Sequence, residues 1–261
     1  MNRQFCFIGG LPRAGTRQFT DVINAHSACL IQGEFYPNSL KLVGKLLQQA
    51  DVDHKGKYFD STYQRHRTLG AMNMLSMISK SRYYDFDNSL SVVGFKSPRL
   101  ELHKKTLDII FKFYESEVVF FYCVRNLFDN YLSLNSMFNV PVERFIYQTK
   151  LSLEGYFQLC LDKKYHVQLL DLDDFIGADN KKYWLFSHIF DSALKGLGVN
   201  AEQCAEYYEE TINRNSTEAS GKSRRSSLDN CEIEAILSSE ILTQLCQKFH
   251  KKTGVDLLNL G

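Results

Sequence analysis

The sequence predicts an α/β fold of three layers, a central parallel sheet between two layers of helices. Two observations carry that prediction. Four short apolar runs, Phe5–Ile8, Ser91–Phe95, Val118–Val124 and His166–Leu170, lack the alternation of a strand wetted on one side. Runs of that kind are strands buried on both faces, which is the situation of a parallel sheet under helices. Between them lie longer stretches with helical spacing of apolar residues, the rhythm of strand–helix–strand crossovers.

Taken in order, the first run breaks into Gly9-Gly10 and then, at Phe19, Val22 and Ile23, adopts helical spacing. Residues 36–90 follow, rich in aromatics (Tyr36, Tyr58, Phe59, Tyr63, Tyr83, Tyr84, Phe86), and far longer than a simple crossover needs. They read as a helical, aromatic insert. After the third run Phe128, Tyr131 and Leu132 again mark a helix. Residues 212–229, INRNSTEASGKSRRSSLD, have the composition of a basic surface loop. One amphipathic helix is expected from Cys231 to about Lys251, on Ile233, Ile236, Leu237 and Ile241. No repeat or long linker divides the 261 residues, so a single domain over 1–261 is expected.

Bulk properties exclude several functions. With 31 basic and 30 acidic residues the formal charge is +1, so no global field draws the chain to nucleic acid, and any anion site must be local. No apolar stretch is long enough to span a bilayer. Arg3 and the run after it resemble a signal peptide only faintly, because Pro12-Arg13 stands where a small-residue cleavage site belongs. Seven scattered cysteines without CxxC spacing suit reduced thiols in a cytoplasmic protein rather than a disulfide framework or a zinc site.

The loop after the first strand is the strongest functional signal. A strand, a glycine turn and a helix start gather backbone N–H groups and a positive dipole end around one point, a natural oxyanion site. Gly10 and Gly15 have the glycine spacing of GxxxxGK[ST], making the fold P-loop-type, but Thr16 stands where that motif requires lysine. An ordinary ATP or GTP site is disfavoured. A plain strand-to-helix connection is the bland alternative.

Pro12-Arg13-Ala14-Gly15-Thr16 after a buried strand resembles the 5′-phosphosulfate loop of the sulfotransferases that use 3′-phosphoadenosine-5′-phosphosulfate (PAPS), whose members often read Pro-Arg-Ser-Gly-Thr-Thr. Here Ala14 replaces the serine and Arg17 the second hydroxyl residue. Arg125 and Ser133, at Arg-x7-Ser spacing after the third strand, resemble the family's 3′-phosphate site. Gln32-Gly33-Glu34, after Asn24-Ala25-His26, resembles the Gly-Glu of carbohydrate- and protein-modifying members, whose glutamate is the proposed base. Gly94-Phe95-Lys96-Ser97-Pro98-Arg99 is similar to the family's Lys-Thr-Pro segment, with Pro98 where cytosolic members have a catalytic histidine.

The resemblance implies a sulfotransferase of the Pro-Arg-Ser-Gly-Thr and Gly-Glu type. PAPS would be the co-substrate, no metal would be needed, and the acceptor would be a hydroxyl of a carbohydrate, peptide or small molecule. It implies Glu34, Lys96 and Arg13 as catalytic residues. Arg13, Ala14, Gly15, Thr16, Arg17, Arg125 and Ser133 would hold the donor, with Lys222, Arg224 and Arg225 of the basic loop completing the 3′-phosphate site. A solvated loop is the bland alternative for those three. Two rival functions stand beside this one: a small-molecule or nucleotide kinase on the same scaffold, and an inactive sulfotransferase-like binding protein. Neither nucleic-acid binding nor a membrane span is expected, and the oligomeric state is left open.

Overall fold

A computed structural model describes residues 3–34, 37–54, 60–79, 89–211 and 225–259. Five strands form one sheet: β1 (Gln4–Gly10), β2 (Cys29–Gln32), β3 (Val92–Lys96), β4 (Val118–Val124) and β5 (Tyr165–Asp171). Their order is β2-β3-β1-β4-β5 and every pairing is parallel. Among the described residues the helices are α1 (Thr16–Asn24), α2 (Pro37–Asp53), α3 (Ser61–Met77), α4 (Lys104–Ile110), α5 (Leu127–Phe138), α6 (Val142–Cys160), α7 (Leu172–Gly177), α8 (Lys181–Leu185), α9 (Ala201–Thr211), α10 (Asn230–Ser238) and α11 (Glu240–Thr253). A one-turn 3-10 segment, Leu100–His103, links β3 to α4.

All seven residues of β4 are buried, as an unalternating apolar strand requires. Phe5 and Phe7 of β1 meet Phe111 with ring centroids 5.1 and 5.5 Å apart. On the same side, Tyr122 packs on Tyr156 and Phe249. A second aromatic cluster, Phe19 with Phe175 and Trp184, joins α1 to α7 and α8. The sheet thus lies between helical layers, the α/β architecture expected.

Two elements differ from the sequence reading, and the insert is helical as expected. Cys29–Gln32 is a fifth strand: four residues at the sheet edge are too short a run to announce themselves, and they gain strand form by pairing with Val92–Phe95. The expected C-terminal helix is two, because the backbone turns out of helical geometry at Ser239 (ψ 90°). The insert contributes α2 and α3, clamped by Arg67, whose buried guanidinium gives Nε and Nη2 to Asp51 (2.7 and 3.0 Å) and Nη1 to the Ile109 carbonyl (2.8 Å). Tyr63 stacks on His54 within that unit. Tyr36, Tyr58, Phe59, Tyr83, Tyr84 and Phe86 lie outside the described residues.

Strand order positions the site. The chain leaves β1 for β2 and β3 on one flank and crosses to β4 and β5 on the other. The carboxyl end of β1 therefore lies at a switch point, where ligands bind in open α/β sheets.

Candidate functional site

The loop from Gly10 to Thr16 is shaped by backbone conformation. Gly10 (φ 97°) passes so close to β4 that a Cβ there would stand 2.1 Å from the Cys123 carbonyl oxygen, so only glycine fits. Beyond it the Leu11 N–H donates to that same carbonyl (2.9 Å), and Asn130 Nδ2 of α5 donates to the Pro12 carbonyl (2.7 Å). Arg13 (φ 67°) and Gly15 (φ 79°) are left-handed as well. Alternation of left- and right-handed residues turns successive N–H groups toward one concavity. Gly15 caps α1 without a side-chain hydrogen bond, which leaves the first-turn amides of Thr16 and Arg17 to whatever the concavity holds. Ala14 and Thr16 are buried in the turn.

Arg13 Nε donates to Ser133 Oγ of α5 at 3.3 Å. Residues 120 positions apart, predicted for opposite ends of one ligand, are thereby brought together. At the exit of β3, Lys96 Nζ stands 3.0 Å from Glu34 Oε1. The register explains the meeting: Gln32 lies opposite Phe95, so the residues just beyond β2 and β3 emerge side by side. The loop is tied to β3 in turn, since the Ser97 N–H donates to Ile8 and the Arg99 N–H to Gly10 (3.0 and 2.8 Å).

At the exit of β4, Arg125 is held by two carboxylates, Asp173 (Nε to Oδ1, 3.2 Å) and Asp129 (Nη2 to Oδ2, 3.5 Å). Asp173 also accepts the Asn126 N–H at 2.6 Å. Arg17 is largely exposed and lies 3.8 Å from Asp21 along α1. Arg225 makes a two-pronged pair with Glu232 (2.8 and 2.5 Å) and reaches Asp229 at 3.0 Å. That guanidinium holds the Glu232 carboxyl below its usual range and fastens the end of the basic loop to α10. Lys222 and Arg224 lie outside the described residues.

Sequence reasoning missed Glu101. It is 1% exposed, and its carboxyl accepts the Gly10 N–H (2.9 Å) and the Ser152 hydroxyl, which itself lies 2.9 Å from the Tyr122 hydroxyl. Burial pushes the carboxyl above its ordinary range, opposed by these hydrogen bonds and by Arg99. A glutamate in Leu-Glu-Leu-His gives no local sign of such a role. Asp171, the N-cap of α7, is likewise pushed up to about 6, first by burial and then by the neighbouring Asp173 and Asp174 charges.

Among the described residues no cluster of histidine, cysteine or acidic side chains could hold a metal ion, and no helix is long and apolar enough to cross a membrane. No protein-family model and no curated protein matches the chain. Among solved structures it is similar to the sulfotransferase domain of the Synechococcus PCC 7002 olefin synthase, with 14% identity, 95% of each chain covered and a TM-score of 0.49. Function has to be read from the residues themselves.

Proposed function

We propose that the protein transfers a sulfuryl group from PAPS to a hydroxyl acceptor. The observation supporting this most is the Arg13–Ser133 contact, which draws the loop after β1 against the helix behind Arg125. A ligand with a phosphate at each end can then be gripped from neighbouring strands. In this reading the Gly15 and Thr16 amides, the Thr16 hydroxyl and Arg13 hold the 5′-phosphosulfate, with Ala14 and Arg17 at its border. Arg125 and Ser133, helped by Lys222, Arg224 and Arg225, hold the 3′-phosphate. Guanidinium pairing with phosphate gives this end its directionality. The 3′-phosphate has to displace carboxylates that now occupy Arg125.

The acceptor oxygen attacks sulfur in line. Its proton passes to Glu34, the S–O bond to the 5′-phosphate breaks, and the bond's electron pair leaves on adenosine 3′,5′-bisphosphate. Lys96 positions Glu34 and, with Arg13, stabilises charge on the departing phosphate. No metal takes part in these steps. Residues 1–261 act as one domain, with 36–90 on the acceptor side and the basic loop supplying Lys222, Arg224 and Arg225 to the donor. Seven unpaired cysteines are in keeping with a cytoplasmic setting.

Titration calorimetry with adenosine 3′,5′-bisphosphate and with Mg-ATP, followed by labelled-sulfate transfer from PAPS to a panel of sugars, peptides and phenols, tests the reading. Binding of the bisphosphate, no binding of ATP and label in at least one acceptor are expected. Mg-dependent ATP turnover without bisphosphate binding would move the protein to the kinases. Bisphosphate binding without transfer to any acceptor would leave a binding protein.

A further inference from the structure

A second basic feature lies outside the donor loop. A cleft of about 520 Å³ opens between α2, the Leu100–His103 turn with α4, and α6. Its size suits a small molecule of one or two rings. Lys41 and Lys45 stand one turn apart on the α2 wall, and Lys105 lines the cleft from α4. All three are exposed, and none has an ion-pair or hydrogen-bond partner among the described residues. Like charges at this helical spacing repel. Lys104, close by, is different: Asp108 and Asp162 neutralise it. Two carboxylates also line the cleft: Glu154 from α6, and the buried Glu101, already engaged by Gly10 and Ser152. In a chain with a formal charge of only +1, this is a local excess of cations.

His103 adds to it. Burial first, and then the Lys41 charge, hold its imidazole below the ordinary range, so at neutral pH it offers a neutral N–H beside three ammonium groups. Gln48 and Gln158 line the same space, supplying amides rather than aromatic faces.

We infer that this cleft binds a small hydroxyl-rich molecule carrying a carboxylate or comparable oxyanion, read by Lys41, Lys45 and Lys105. The site stands independently of the sulfuryl-transfer reading. Aromatic phenols, which would need stacking surfaces, fit it less well than an acidic sugar.

The test uses the full chain, digalacturonate as probe and maltose as its uncharged counterpart, with calorimetry at low and moderate salt. Saturable binding of digalacturonate that weakens with salt is expected. No binding of maltose is expected, together with at least a tenfold loss in the surface variant Lys41→Ala/Lys45→Ala/Lys105→Ala at unchanged melting temperature. Absence of saturable digalacturonate binding, or equal affinity in the triple variant, overturns the site. Equal affinity for inorganic sulfate overturns recognition of a hydroxyl-bearing scaffold. Adenosine 3′,5′-bisphosphate is titrated into the same samples. Its binding without that of digalacturonate refutes the cleft alone, and the reverse refutes the donor reading while the anion site stands.

Discussion

The exits of β3 and β4 carry one cation each, and they are equipped differently. At β3 an ammonium, Lys96, meets a carboxylate, Glu34, at 3.0 Å. At β4 one guanidinium, Arg125, meets two carboxylates, and Asp173 is further engaged by a backbone N–H. The first arrangement sets a proton acceptor beside a cation. The second must give up a partner before it can hold an anion. Under the proposed function chemistry falls to the β3 end and grip to the β4 end, and the two can be separated by substitution.

The largest effect is expected at β3. Glu34→Gln keeps an oxygen for Lys96 but cannot take a proton, so single-turnover sulfate transfer is expected to fall by about 10²–10⁴-fold. Calorimetric affinity for adenosine 3′,5′-bisphosphate should stay at the wild-type value. A rate close to wild type would break the division. At β4 the order reverses: Arg125→Ala removes charged hydrogen bonds worth about 1.5–3 kcal/mol and should weaken bisphosphate binding accordingly, leaving transfer at saturating donor nearly intact. Asp173→Asn sharpens the comparison. Freeing Arg125 from a partly exposed pair of roughly 0.2–1 kcal/mol should tighten bisphosphate binding slightly, up to about fivefold. Weaker binding would show that the carboxylate orients Arg125 instead of competing for it.

The smallest effect concerns Asp171 beneath the β4 end. Its folded-state pKa of about 6 lies above the ordinary 3.8. The folded protein therefore binds this proton more tightly than the unfolded chain does. The associated stability is complete below the unfolded value and is lost as pH rises through about 6. Asn caps helices as well as Asp. Urea midpoints measured at pH 4.5 and 7.5 should accordingly drop less in Asp171→Asn than in wild type. Parallel drops would place the titration elsewhere.

Local chemistry was legible in the sequence, and partners were not. The glycine turn, the lysine at a strand exit and the Arg-x7-Ser helix start all announce themselves within ten residues. Ser133 and Arg13 were assigned to opposite ends of one ligand, so their direct contact was not foreseen. Asp173 capturing Arg125 across 48 positions, and Glu101 reaching back 91 positions to Gly10, depend on packing that no local pattern encodes. The same holds for β2: four residues become a strand through the neighbour they pair with, not through their own run. Ala14 fits its place as a fully buried methyl, which a reading of donors alone had no reason to notice.

One feature of the sheet bears on how the chain is made. The earliest strand of this sheet in chain order sits in the middle, and its two neighbours are encoded around residues 92–96 and 118–124. Until the second of these has left the ribosome, an apolar ribbon has an open flank with unpaired amides and carbonyls. Chains stopped short of residue 124 should therefore clump or recruit chaperones, where the finished protein does not.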